Sequence, residues 1–143
     1  MDQATITILE TTFAEVARNR DEAAALFYER LFAIDPTLRR LFLSADMKEQ
    51  QRKLMAALGL VVASLPELGK IVPVLETLAV KHVGYGVEEQ HYEAVGSALI
   101  QTLALSFGER FSPDVRAAWV NAYGVISSVM IAAANRSKNQ AAE

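Results

Sequence analysis

Apolar residues recur at helical spacing along almost all of this 143-residue chain, and no sustained apolar–polar alternation interrupts them. That periodicity points to an all-α fold. A first helix is expected over about 5–17, with Ile8, Phe13 and Val16 among its apolar positions. Asp21 is expected to cap a second, which carries Ala24, Phe27, Tyr28, Leu31 and Phe32. Pro36 ends it, because the residue before a proline is pushed out of the helical region. After a short turn over 37–42, a long helix over about 48–65 aligns Leu54, Leu58, Val61 and Leu65 on one face and pairs Glu49 with Lys53. Pro66 and Pro73 are expected to bracket a looser connection into a short helix that ends at His82 and is broken by Gly84 and Gly86. Another helix over 88–107 brings Tyr92, Val95, Leu99 and Leu103 into register, and Gly108 stops it. Ser112 and Pro113 open the last helix, which carries Val115, Trp119, Ala122, Ile126, Val129 and Ala133. The division expected is one domain over 1–134 and a polar, frayed tail over 135–143. Helices this unequal suit steep crossings around a central pocket better than an up-down bundle.

Composition removes several functions. A net charge of -3 with no Lys/Arg cluster argues against nucleic acid. The absence of cysteine excludes disulfides, thiolate metal sites and a Cys nucleophile. No basic region follows Met1, and the longest apolar stretch, 54–65, is too short to span a bilayer, so a cytoplasmic protein without a membrane partner is expected. No His-x-x-x-His or Glu-x-x-His pair, Gly-rich phosphate loop or Gly-x-Ser-x-Gly turn is present.

What remains is an imidazole on an apolar helix end. His82 is one of two histidines and follows Leu78, Ala79, Val80 and Lys81. By itself such a residue reads as an ordinary half-buried histidine. A neutral imidazole there would also suit a metal held mainly by something else.

The surrounding segments bear on that choice. Phe27, Tyr28, Glu29, Arg30, Leu31 and Phe32 precede Pro36 and then Arg40, Leu41 and Phe42. Gln50, Gln51, Arg52, Lys53 and Leu54 come next, followed by Leu78 to His82 and by Tyr85, Gly86 and Val87. His91 with Tyr92, Val95 with Gly96, and Ala118 with Trp119, Ala122, Tyr123, Gly124 and Val125 complete the order. In that order and spacing they resemble bacterial single-domain globins and the globin half of flavohaemoglobins. The resemblance is densest over 27–130. It implies a three-over-three helical sandwich around haem b, with His82 as the proximal iron ligand.

It implies further roles. Phe42 would stack on the porphyrin, although ordinary core packing explains it equally. Tyr28 would donate to bound O2, its alternative being a core tyrosine with a backbone partner. Gln50 would add an amide donor, with Gln51 as its competitor, and Leu54 would press on the ligand. Lys53, Lys81 and Arg52 are candidates for the propionates, or simply lie on a solvated face. Tyr85, Val87, Tyr92 and Val95 would line the cofactor. His91 reads as a surface residue. The flavohaemoglobin pattern also has a glutamate that supports the proximal histidine together with the tyrosine, and this chain has Ala132, Ala133 and Ala134 in its place. That leans towards reversible binding of O2, CO and NO, for oxygen storage or delivery, by a monomer or weak homodimer. The alternative is a nitric oxide dioxygenase or nitrite reductase working with a separate reductase, since no flavin domain follows the last helix.

Overall fold

The computed structural model describes residues 1–142, and they form six α-helices and three short 310 turns without a strand. Helix α1 (Gln3–Arg18) starts where the Asp2 carboxylate accepts the Thr5 N–H at 2.8 Å. Helix α2 (Arg20–Ile34) follows Asn19 directly and has no side-chain cap. Asp21 lies inside its first turn with Glu22, where acidic groups complement the helix dipole, so it does not cap the helix as expected. The 310 turn Pro36–Phe42 is held by Asp35, whose carboxylate accepts from Thr37 N at 3.1 Å.

Helix α3 (Met47–Ala63) is capped by Asp46. Its Glu49 binds Arg52 and not Lys53, at 2.5 Å on the salt-bridge pair. After a turn at Leu65–Glu67 comes helix α4 (Leu68–Gly84), and the chain bends by 58° between α3 and α4. Pro73 does not loosen this connection. It sits in the second turn of a continuous helix, and the one carbonyl it leaves without a helical donor is that of exposed Gly69, open to water. Helix α5 (Glu89–Phe107) stops at Gly108, whose φ of 57° few other residues adopt readily.

Helix α6 (Pro113–Ala142) begins with Ser112 accepting the Val115 N–H at 3.3 Å. It continues through the segment expected as a frayed tail; residue 143 lies outside the described residues. By length and composition α6 could cross a bilayer, which the shorter stretch over 54–65 had hidden. One face of it nonetheless packs as core. Ala118, Trp119, Ala122, Met130, Ala133 and Ala134 are buried, and Trp119 Nε1 donates to Thr12 Oγ1 of α1 at 3.0 Å.

The helices form two layers. Helices α1, α3 and α4 lie over α2, α5 and α6; the broadest contacts are α4 with α6 across the layers and α2 with α5 within one. The buried side chains divide into two clusters. One gathers Phe27, Tyr28, Leu38, Leu99, Leu103 and Trp119, with Phe42, Leu54 and Val95 packed against it. The other gathers Ile71, Leu75, Ala79, Tyr92, Met130 and Ala134, with Leu78 and Val87 against it. A core split in this way, with half-buried apolar side chains along the seam, can take a flat apolar guest between its halves.

Candidate functional site

Helix α4 presents His82 at its last turn, half-buried. Its Nδ1 stands 2.6 Å from the Leu78 carbonyl oxygen, four residues back. A carbonyl only accepts, so Nδ1 carries the proton and the lone pair is left on Nε2. That is the form an imidazole needs to bind a metal, and the main-chain partner fixes the ring's orientation. The Tyr85 ring lies 6.1 Å away, tilted by 59°, and is largely exposed. Gly86, at φ 93°, turns the chain back here, and a Cβ on it would stand 3.4 Å from Leu41.

The facing wall is aromatic. The Tyr28 ring lies 5.1 Å from Phe27, 6.1 Å from Phe32 and 5.6 Å from Phe42, and Phe32 lies 5.6 Å from Phe42. Burial pushes the Tyr28 phenol up to about 12, so it stays a donor throughout the physiological range. Its proton goes to the Gln50 main-chain oxygen at 3.4 Å, long for an O–H···O bond and readily exchanged for a better acceptor. Gln50 and Gln51 are both half-buried, and Leu54, one turn beyond Gln50, packs, like Phe42, against the buried cluster that includes Tyr28.

The remaining expected residues fall into three groups. Val95 joins the Tyr28 cluster, and Val87 and Tyr92 join the other. Lys53 and Lys81 are exposed. Arg52 is committed to Glu49 by three hydrogen bonds, so it is not a free cation for a propionate. His91 takes no part: its Nδ1 accepts the Glu88 N–H at 2.9 Å and completes a cap on α5.

Tyr92 brings an irregularity. Its Oη is buried and has no hydrogen-bond partner. Ala133 and Ala134 lie in the same buried cluster, where a carboxylate would have supplied one. Burial raises the Tyr92 phenol above its ordinary value. Sequence reasoning missed two positioning contacts. One is the Leu78 carbonyl, which the four-residue spacing to His82 could have suggested. The other is Tyr123, whose Oη donates to the Tyr92 main chain at 2.6 Å. Gly96 was its signal, since a Cβ there would come within 2.7 Å of the Tyr123 ring.

Two cavities lie away from His82 and Tyr28. A groove of about 310 Å³ separates the end of α1 from the start of α2 and the end of α5, bridged by Arg110 and Glu15 at 2.6 Å. A void of about 10 Å³ sits among Leu9, Leu58 and Trp119. Among the described residues no three His, Asp or Glu side chains converge to hold a metal. A metal at His82 must bring its own chelator. One neutral imidazole, two apolar clusters and an aromatic wall fit a planar macrocycle with a single protein ligand.

Comparison with known proteins follows the same lines. The family profile described as Globin matches residues 25–130. A flavohemoprotein of Bacillus subtilis is 29% identical over 133 residues, covering 92% of this chain and 33% of the relative. One of Rhodopirellula baltica matches at the same identity and coverage. The chain thus spans about a third of the length of these curated relatives. A bacterial globin from Campylobacter jejuni superposes with a TM-score of 0.85 at 22% identity, covering 96% of this chain and 99% of that one.

Proposed function

The chain belongs to the globin family, and from that premise we propose that it holds haem b and binds O2, CO and NO reversibly, for oxygen storage or delivery. The observation that carries the reading is the His82 tautomer. Its Nδ1–H donates to the Leu78 carbonyl oxygen, which leaves the Nε2 lone pair for iron. Haem supplies a ferrous centre with one position left for a diatomic gas.

The chain's own residues do the rest. His82 would hold the group from α4, and Phe42, Leu54 and Val95 from one apolar cluster with Val87 and Leu78 from the other would supply apolar contact and keep water out. Lys53 and Lys81 are exposed and would be free to meet a solvated propionate. Tyr28 holds a proton at Oη that can leave the Gln50 carbonyl for a gas molecule in the slot. A donor to a partly anionic ligand is stronger than one between neutral groups.

A second reading draws on the flavohemoprotein likeness: nitric oxide dioxygenase or nitrite reductase turnover with electrons from a separate reductase. The Tyr92 surroundings favour the first reading. An imidazole backed by a carboxylate pushes electron density to the metal and promotes O–O cleavage, whereas the buried cluster around Tyr92 (Val61, Ile71, Leu75, Ala79, Met130, Ala133 and Ala134) holds no acidic side chain and the Tyr92 hydroxyl has no hydrogen-bond partner.

Visible spectra of purified wild type and His82→Ala, ferric and ferrous, with and without CO, test the proposal. The wild type should show a Soret band that shifts with CO, and His82→Ala should lose most haem. A wild type that stays colourless when supplied with haem ends the reading. Tyr28→Phe should retain haem but release O2 about tenfold or more faster, the loss of one charge-assisted hydrogen bond. An unchanged release rate removes Tyr28 from the mechanism. Sustained NO consumption with an added reductase would favour the second reading, and a single stoichiometric reaction the first.

A further inference from the structure

Charge is unevenly placed on this chain. The net charge is -3, yet 36–54 holds five basic residues (Arg39, Arg40, Lys48, Arg52, Lys53) against two acidic ones (Asp46, Glu49). Removing these from 14 basic and 17 acidic residues leaves 9 against 15 elsewhere. The basic stretch comprises the 310 turn, the loop after it and the first two turns of α3. Glu49 neutralises Arg52. Arg39, Arg40, Lys48 and Lys53 have no carboxylate at ion-pair distance among the described residues.

Two of these cations are held in place while exposed. The Arg39 guanidinium rests 4.6 Å over the Phe32 ring, and Arg40 Nε donates to the Thr37 carbonyl at 3.3 Å. Asp35 lies close enough to Arg40 to feel its charge, and Glu88 and Glu89 open α5 beyond it. The surplus of positive charge along the chain is thus concentrated in the turn and the start of α3.

The same rim carries the two most exposed large apolar side chains, Leu43 at 83% and Tyr85 at 65%. Leu43 follows the 310 turn directly, and Tyr85 opens the bend whose Gly86 approaches Leu41. Both flank the region of His82 and Tyr28. An exposed leucine and an aromatic ring, with Arg39, Arg40 and Lys48 close to the leucine along the chain, have the make-up of a protein docking surface. The acidic remainder of the chain repels an acidic visitor everywhere else, which selects this face on approach.

We infer that the rim formed by Arg39, Arg40, Leu43, Lys48 and Tyr85 docks an acidic electron-carrier protein. The inference rests on the haem reading above. One electron leaves the carrier and takes the iron from ferric to ferrous, and no group is transferred.

Calorimetric titration of the haem-loaded chain with a flavodoxin, an acidic FMN-bearing carrier, tests it. Binding should weaken about tenfold or more between low and physiological ionic strength. Arg39→Glu, Arg40→Glu and Lys48→Glu together should abolish it. Leu43→Ser should weaken it about tenfold and leave the salt dependence unchanged. Glu109→Lys, at the opposite end of α5, should have no effect. Binding indifferent to salt and to the charge reversals overturns the inference. So does sedimentation with phosphatidylglycerol vesicles in the absence of flavodoxin binding. The ferrous–CO spectrum of each variant keeps the two readings apart. Intact spectra with lost docking place the defect at the rim, whereas a wild type without the spectrum strikes the haem reading and leaves the salt-dependent titration to be judged by itself.

Discussion

A single hydrogen bond does much of the chemical sorting here. With Nδ1 of His82 donating to Leu78, the ring can neither flip freely nor use that nitrogen as a ligand. Tyr92 makes the converse point. Its hydroxyl lost its water on folding and gained no partner, a cost of about 1–3 kcal/mol. Tyr92→Phe should therefore leave the haem-free protein as stable as wild type or more stable by roughly 1 kcal/mol, measured by urea unfolding. A loss of about 2 kcal/mol would mean that the phenol has a partner after all. Tyr28 stands between these cases, bonded but weakly, which leaves its proton available to a ligand.

Helix boundaries set where these side chains stand. Asp46 accepts the Lys48 N–H at 3.0 Å and the Glu49 N–H at 3.4 Å, fixing the start of α3 and with it Gln50. Asp46→Ala should lower stability by about 1 kcal/mol and loosen the α3 wall, read by thermal unfolding and by faster haem loss. A melting temperature equal to wild type would assign the helix start to packing alone. Between α5 and α6 the fit is tighter. Gly96 admits the Tyr123 ring at a distance no Cβ tolerates. Gly96→Ala should cost about 1–3 kcal/mol by overpacking, and Gly96→Ala with Tyr123→Leu should recover part of that.

The two layers also respond to pH as a unit. Burial raises Tyr28 to about 12 and lifts Tyr92 and Tyr123 as well, the last also through its nearness to Tyr92. A phenol whose folded pKa exceeds its unfolded value near 10 stabilises the fold fully below that value, and the contribution is lost as pH rises through the folded pKa. Tyr28 alone should remove roughly 2–3 kcal/mol between about pH 10 and 12. Alkaline unfolding should be steep in that window, with tyrosinate absorbance rising together with the loss of helical circular dichroism. Tyrosines that ionise at ordinary pH while the helices persist would contradict the burial.

Much of this was legible in the residues, because helical period, proline and glycine act locally. The face of α3 with Leu54 and Val61, the stop at Gly108 and the cap at Ser112 all follow from neighbours within a few positions. So does His82 on an apolar helix end. Pro73 misled: it sits early in α4, where the one carbonyl it leaves without a donor is that of exposed Gly69, and that exposure is not written in the spacing. The Glu49 partner was misjudged because the i,i+3 and i,i+4 positions are both within reach on a helix face. Side-chain direction and packing choose among options that local sequence leaves equal. The sequence alone determined where an imidazole, a phenol or an apolar side chain stands along each helix. Packing of distant segments determined that Tyr28 faces α3, that the buried Tyr92 hydroxyl is left without a partner, and that Arg39 rests on the Phe32 ring, because contacts between elements exist only once the layers close.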